Sequence, residues 1–341
     1  LTTPTLPIHY AQPTITDQDV SAVEKVLRSN WLTSGPTIEK YEKAIAEFTG
    51  YRFAVAVSNA TAGLYIAAEW FFNQMEKPKW VSVPTLTFVA TANSVTRLGI
   101  PIKLADADDK LLTTQTYDLS VSLCGYPVVG SGLIADDAHF FHEHMNEFGD
   151  YQCRITSHHA VKTLGNSGEG GTILTNNKEF VEFAREYRNH GRNSDGDASF
   201  VGANYRMTDI QAALLLSQLD RWDTDHNRRH TIAQFYRAEL DHLVKLPPYH
   251  KNHSLHLFPI TFKTKEQRDF VKDYLLQNQI RTQIHYKPVH MQPLYSHLYA
   301  NCPIAEHHYN HSLSIPIHNS LSDDECQYIV DTINSGVCAY E

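Results

Sequence analysis

Ser157-His-His-Ala-Val-Lys162-Thr-Leu-Gly-Asn-Ser-Gly-Glu-Gly-Gly171-Thr-Ile-Leu-Thr175 is the stretch from which the rest of the chain is read. Residues 154–156 before it and 172–174 within it are short apolar strands. Between them a lysine follows a histidine pair and precedes four glycines, Gly165, Gly168, Gly170 and Gly171. Glycine lets backbone approach a ligand closely. A lysine whose charge is disfavoured by desolvation can form a Schiff base with an aldehyde. Ser157, five residues before Lys162, can bind phosphate. The cluster lacks the Gly-Lys-Ser/Thr ending of a nucleotide P-loop, and no G-x-G-x-x-G follows a strand, which weakens ATP and dinucleotide readings. Taken alone, Lys162 also reads as a surface lysine beside a loop.

Working outward, residues 53–57, 80–83, 101–104, 120–123 and 133–135 are further strands, and helices are expected near 63–72, 88–97 and 178–188. Strands alternating with helices imply an α/β layer with a mostly parallel sheet. Two helices precede it. One opens at a capping box, Thr16 with Asp19, and the other follows Ser34-Gly-Pro36 and stops at Gly50. After a capped helix from Thr208 to about Trp222 and a long helix over 227–243 come a strand (255–262), a helix (264–277) and strands at 281–286 and 313–317. A last helix is capped by Ser322 with Glu325 and is expected to end at Gly336. This reads as a large α/β domain over 1–225 and a smaller α+β domain over 226–341.

At 341 residues, 42% of them hydrophobic and 20% charged, the chain can bury a substantial core. A net charge of −9 without a Lys/Arg cluster argues against nucleic acid or an anionic membrane as partner. No apolar run reaches membrane-spanning length. The Leu1-Thr-Thr-Pro4 start lacks signal-peptide character, and the five cysteines are scattered. Together these place the protein in the cytoplasm with reduced thiols.

Two further segments carry chemistry. Strand 53–57 runs into Ser58-Asn-Ala60-Thr61-Ala62 and a helix, where N–H groups and a hydroxyl make an anion site; an ordinary strand–helix turn is the alternative. Strand 133–135 ends in Asp136-Asp137-Ala138-His139. Ligands of open parallel sheets sit at the carboxyl ends of strands, so a carboxylate here can pair with a protonated ring nitrogen, or else cap the next helix. An anion cradle, an acid for a ring nitrogen and a Schiff-base lysine are what pyridoxal 5′-phosphate (PLP) requires.

The sequence at this point resembles the DegT/DnrJ-type, PLP-dependent sugar aminotransferases of fold type I. The resemblance runs in order through Ser29-Asn-Trp-Leu-Thr-Ser-Gly-Pro36, Val57-Ser-Asn-Ala-Thr-Ala62, Pro84-Thr-Leu-Thr-Phe-Val-Ala-Thr-Ala-Asn93, the Lys162 segment, Arg188-Asn-His-Gly-Arg192, Gly202-Ala-Asn-Tyr-Arg-Met-Thr-Asp-Ile-Gln-Ala-Ala213, Pro288-Val-His290 and Leu313-Ser-Ile-Pro-Ile317. It implies a large domain with a mostly parallel seven-stranded sheet and a small C-terminal α+β domain. It assigns Lys162 as the Schiff-base lysine and Phe88 as the residue stacked on the cofactor ring. Ala60, Thr61 and Ser157 would hold the phosphate, and Asn204 would reach the phosphate of a partner subunit in a homodimer. Asp136, three residues before His139, becomes the ring-nitrogen partner, with His139 near the ring hydroxyl. Arg206 and His290 fall near the substrate.

The implied reaction passes an amino group from L-glutamate to a keto or aldehyde sugar, nucleotide-linked, for an amino sugar of a surface polysaccharide or a glycosylated product. Alternatives are an eight-carbon acidic sugar without nucleotide, a PLP-dependent sugar dehydratase (whose relatives carry His in place of Lys162) and a silent PLP-binding regulator. Three departures stand out. A second acid, Asp137, adjoins Asp136. His158 replaces the family's usual Phe. Finally, the connections 106–124 and 127–136 are short for crossovers, so either a helix is lost or they are loops. His139, His142 and His144, with His307, His308 and His311, raise a metal reading, but no His-Glu-x-x-His is present and no metal is expected.

Overall fold

The computed structural model describes residues 6–74, 77–108, 116–165 and 168–341. The Leu1-Thr-Thr-Pro4 start, residues 109–115 of the first short connection and Asn166-Ser167 of the glycine-rich stretch lie outside the described residues.

Helix α1 (Asp17–Ser29) begins at the expected capping box, Thr16 Oγ1 accepting from Asp19 N and Asp19 Oδ2 from Thr16 N at 2.8 Å. Helix α2 (Pro36–Thr49) has proline in its first turn. Its open N–H groups are closed from far along the chain. The buried carboxylate of Asp209 accepts from Gly35 N, Thr37 N and Ile38 N at 2.9, 3.1 and 3.1 Å, where the helix dipole favours negative charge.

All seven strands expected in the first part form: β1 (Phe53–Val57), β2 (Val81–Pro84), β3 (Ile102–Ala105), β4 (Leu119–Val121), β5 (Ser131–Asp137), β6 (Asp150–Ser157) and β7 (Gly171–Thr175). Among the described residues they do not hydrogen-bond as one sheet of seven. Five make a mixed sheet in the order β1-β7-β6-β5-β4, while β2 and β3 form a separate parallel pair. Within the five, β4-β5-β6 are parallel and β7 is antiparallel to both neighbours. The break has a local cause. Where β2 runs beside β4, Ser82 N donates to the Asp118 carboxylate at 2.7 Å and Ser82 O accepts from Thr116 Oγ1 at 3.2 Å. Side chains therefore occupy the backbone groups that a ladder would need.

Residues alternate across the sheet into two cores, as the pleat requires. Val55, Val57 and Ile173 pack with α3 (Ala60–Glu69), α4 (Ala90–Thr96) and α5 (Lys178–Tyr187) on one face. Ala54, Ala56 and Leu174 pack with α2 and α6 (Asp209–Leu219) on the other. Helix α7 (Trp222–Leu240) leads to a third core built with β8 (Phe258–Thr261), α8 (Lys265–Gln277), β9 (Ser312–Ile315) and α10 (Asp323–Tyr340). Helix α9 (Pro303–His311) lies between β8 and β9 in sequence.

Two expectations beyond α7 are corrected. Residues 281–286 are not a strand, because Gln283 pairs with Ser314 only as an isolated bridge and His285 turns its Nδ1 to Ser314 Oγ at 2.9 Å. Helix α10 passes through Gly336 to Tyr340. A side chain at Gly336 would meet the Tyr274 ring at 3.1 Å, so this glycine serves the close approach of α8 rather than a stop.

The second short connection resolves as a loop. Between β4 and β5 there is a single 3-10 turn, Leu123–Gly125, and no helix. Residues 253–257 cover that turn instead: Ser254 N donates to Gly125 O at 2.9 Å and Leu257 N to Cys124 O at 3.1 Å.

At the centre of the sheet Arg154 and Asp137, both fully buried, pair at 2.8 Å across β5 and β6. Arg154 also reaches Tyr51 Oη, Val128 O and Phe148 O, and Asp137 accepts from Ser122 Oγ at 2.5 Å. Removing one partner of such a pair strands a buried charge, whereas replacing both by apolar groups is far milder. Arg154→Leu is expected to lower the unfolding free energy by about 3–5 kcal/mol, with most of the loss recovered in Arg154→Leu/Asp137→Leu, as measured by urea denaturation.

Candidate active site

Strand ends bring the expected residues to one edge of the sheet. Ser157 ends β6, Gly171 begins β7 and Val57 ends β1, and the three are in register. The chain then enters α3 at Asn59, whose side chain accepts from Ala62 N at 2.8 Å. The N–H groups of Ala60 and Thr61 have no acceptor among the described residues. A Cβ on Gly171 would sit 2.5 Å from Asn59 C and 2.6 Å from Ala60 N, so only glycine allows this close seating. Open N–H groups beside the Ser157 hydroxyl form a cradle suited to a phosphate.

The Asp136–Asp137 pair is sorted by the pleat. Asp137 points to the face holding Arg154. Asp136 points to the other, accepting from Thr91 Oγ1 of α4 at 2.7 Å and from Ala138 N at 3.1 Å. Among the described residues no basic side chain forms an ion pair with Asp136. Burial pushes its carboxyl above the usual range, partly opposed by those two hydrogen bonds. An unpaired buried carboxylate is costly, and a cationic ring nitrogen would relieve that cost.

His139 follows in the same turn. Its Nδ1 accepts from Cys124 N at 3.2 Å, and its Nε2 lies 2.9 Å from the Tyr286 hydroxyl. Burial holds it well below the usual histidine range, so it is neutral. The Tyr286 ring lies 5.7 Å from that of Phe88, which is 56% exposed and has a free face.

Lys162 is partly buried, and loss of hydration lowers its pKa to about 7, with Asp136 acting in the opposite direction. Its Nζ lies 3.3 Å from Nε2 of His256. A lysine so placed spends much of its time as a free amine at neutral pH.

The remaining expected residues lie at the margins. His290 bridges Thr85 Oγ1 (2.7 Å) and Glu306 (3.2 Å), and Arg206 donates to Asn189 Oδ1 at 2.6 Å. Asn204 is exposed, next to Tyr205, whose carbonyl accepts from Ser58 N at 2.8 Å. Among the described residues no cluster of three or more His, Cys, Asp or Glu is arranged for a metal.

Sequence reading missed Thr91, Tyr286 and His256. Thr91 lay inside the quoted Pro84–Asn93 block and carried a signal. Tyr286 and His256 come from the far side of α7, in segments without a motif.

The profile of the DegT/DnrJ/EryC1/StrS aminotransferase family matches residues 13–120 and 131–334. The chain belongs to this family. It is therefore a sugar aminotransferase by family. It is 28% identical to the UDP-4-amino-4,6-dideoxy-N-acetyl-beta-L-altrosamine transaminase of Campylobacter jejuni, over 96% of this chain and 97% of that protein. Among solved structures, Helicobacter pylori PseC, described as an aminotransferase involved in the biosynthesis of pseudoaminic acid, is 26% identical and superposes with a TM-score of 0.91, covering 97% of this chain and 99% of that one. A Streptococcus pneumoniae sugar aminotransferase described in its PLP-form shares the fold with a TM-score of 0.88 at 21% identity, over 97% and 99% of the two chains.

His158, where the family has Phe, is a fully buried structural residue. Its Nδ1 lies 3.0 Å from Leu164 O and must donate there, leaving the Nε2 lone pair to accept one proton from the linked hydroxyls of Tyr41 (2.9 Å) and Thr172 (3.0 Å). Burial lowers its pKa to about 4. Because the folded value lies below the unfolded one, its contribution is complete above pH 6.5 and is lost as pH falls toward 4, roughly 3 kcal/mol in all. His158→Phe should flatten this part of the pH–stability curve, read by thermal melts between pH 7 and 4.

Proposed function

We propose that this aminotransferase uses PLP to move an amino group from L-glutamate to a keto or aldehyde sugar, with a nucleotide-linked keto-deoxysugar as the substrate. The observation that carries the reading is Lys162 within electrostatic reach of Asp136, a buried acid held by Thr91 that has no ion-pair partner among the described residues. The residues fit the cofactor: a Gly171-gated N–H cradle with Ser157 for its phosphate, Asp136 for its ring nitrogen, His139 for its ring hydroxyl and the free face of Phe88 for its ring. Bound there, PLP supplies an aldehyde for amine exchange and a ring that takes up electrons from the donor's α-carbon. Lys162 Nζ would take a proton from that carbon and deliver it to the cofactor's former aldehyde carbon. Asp136 holds a proton on the ring nitrogen, and the burial around it excludes water.

The UDP-sugar transaminase likeness supports a nucleotide-linked acceptor, and Lys162 at the catalytic position favours transamination over dehydration. Exposure of Asn204 and Phe88 supports a homodimer in which Asn204 completes the partner's phosphate site, with Arg206 and His290 facing the sugar. Residues 1–225 and 226–341 are the proposed domains. No helix among the described residues is long and apolar enough to cross a membrane, and cytoplasmic synthesis of a surface-polysaccharide amino sugar is the proposed setting.

The decisive assay measures glutamate-dependent amination of nucleotide-linked 3-keto and 4-keto sugars, with an eight-carbon acidic sugar aldehyde as the rival acceptor. Borohydride should fix a pyridoxyl group on Lys162, detected by peptide mass, and Lys162→Ala should abolish it; a wild-type protein that is never labelled there sinks the proposal. The two acids are expected to separate. Asp136→Asn should lower kcat on the order of 10²–10⁴-fold with little change in melting. Asp137→Asn should lower the melting temperature and leave most of the kcat of the folded fraction.

A further inference from the structure

We propose that His256 positions Lys162: its Nε2 accepts an N–H of the lysine and so aims the amine into the pocket. This rests on the role of Lys162 proposed above, but it concerns a residue 94 positions further along the chain, beyond α7.

The ring is delivered by a fixed support. Residues 253–257 are tied on both sides of His256, by Ser254 N to Gly125 O and Leu257 N to Cys124 O, and Ser254 Oγ accepts from Phe141 N at 3.0 Å. His256 is 4% exposed, and its Nδ1 is buried with no hydrogen-bond partner among the described residues. A buried imidazole ordinarily satisfies both nitrogens, and an orphan is costly enough to need a reason. Here the ring's orientation is set by its edge against His139, with centroids 4.6 Å apart, and by the 3.3 Å contact to Lys162 Nζ.

The groups facing this pair are Asp136 at the end of β5, Glu169 before β7, Cys124 in the turn after β4, His139, His285 and Arg229 of α7. Burial, with Lys162 and Arg229 adding to it, holds His256 well below the usual histidine range. It is therefore a neutral ring and not a second cation. Protonated at Nδ1, it presents a lone pair at Nε2. The lysine can donate to that lone pair both as ammonium and as amine. In the amine form this leaves the nitrogen lone pair directed away from His256. The opposite tautomer would donate from Nε2 and occupy that lone pair, blocking the nucleophile. An accepted hydrogen bond also favours the ammonium form, so losing it lowers the lysine's pKa further.

The test begins with the full chain stripped of cofactor. Trace acetylation of Lys162 as a function of pH, read by peptide mass, gives its titration midpoint. His256→Leu should lower that midpoint by about one unit, and His256→Gln, whose amide oxygen accepts, should return it close to wild type. His256→Met takes the place of the leucine variant if the latter melts early. In the loaded enzyme, His256→Leu should lower kcat on the order of 100-fold with little change in KM, and His256→Gln should recover most of it. An unchanged or raised midpoint in a folded apolar variant overturns the proposal. The labelling needs neither cofactor nor sugar, so it decides the role of His256 even if Lys162 of the wild type never carries a pyridoxyl group.

Discussion

Two carboxylates stand side by side at the end of β5, both buried, and the site depends on how the fold treats them differently. Strand geometry sends them to opposite faces. On one face Arg154, itself held by Tyr51 and two backbone carbonyls, neutralises Asp137 and binds β5 to β6. On the other, Asp136 has a hydroxyl and one amide N–H and, among the described residues, no ion-pair partner. The first acid is spent on architecture. The second is left without such a partner, and the proposed cofactor site draws on it: a cationic ring would relieve the cost of its burial.

The missing crossover helix explains how the two ends of the chain come to share this edge. With only a 3-10 turn between β4 and β5, the face beside His139 would stand open. Residues 253–257 close it and contribute backbone donors to Cys124 and Gly125. The same patch inserts His256 against Lys162. Tyr286 comes in by a similar route and reaches His139. A gap in one layer thus became the opening through which distant residues enter the site.

Much of this was legible in the sequence, for physical reasons that differ by residue. The strand at Phe53–Val57 and the capping boxes at Thr16, Thr208 and Ser322 were readable because their signals are local: a short apolar run, or a hydroxyl three residues before an acid or amide. Lys162, Ser157 and Asp136 sit inside motifs and at strand ends. The choice of Asp136 over Asp137 came from the family's spacing to His139, and the pleat places the two carboxylates on opposite faces. The split of seven strands into five and two was not legible, because it turns on Thr116 and Asp118 reaching Ser82 across more than thirty residues. His256 and Tyr286 were hidden for the same reason. Gly336 was misread because a glycine that admits a neighbouring helix looks, in sequence, like one that ends its own.

The join between β2 and β4 differs in kind from the rest of the sheet. A backbone ladder is indifferent to which residues compose it, since every non-proline residue brings the same donor and acceptor. The Ser82 seam is held by one hydroxyl and one carboxylate. Its strength is written in two codons instead of in the polypeptide itself. Single substitutions at Thr116 or Asp118 therefore act on how the layer carrying Phe88 and Thr91 sits against the layer carrying Lys162, leaving every ladder intact. It is an adjustable joint in an otherwise generic scaffold.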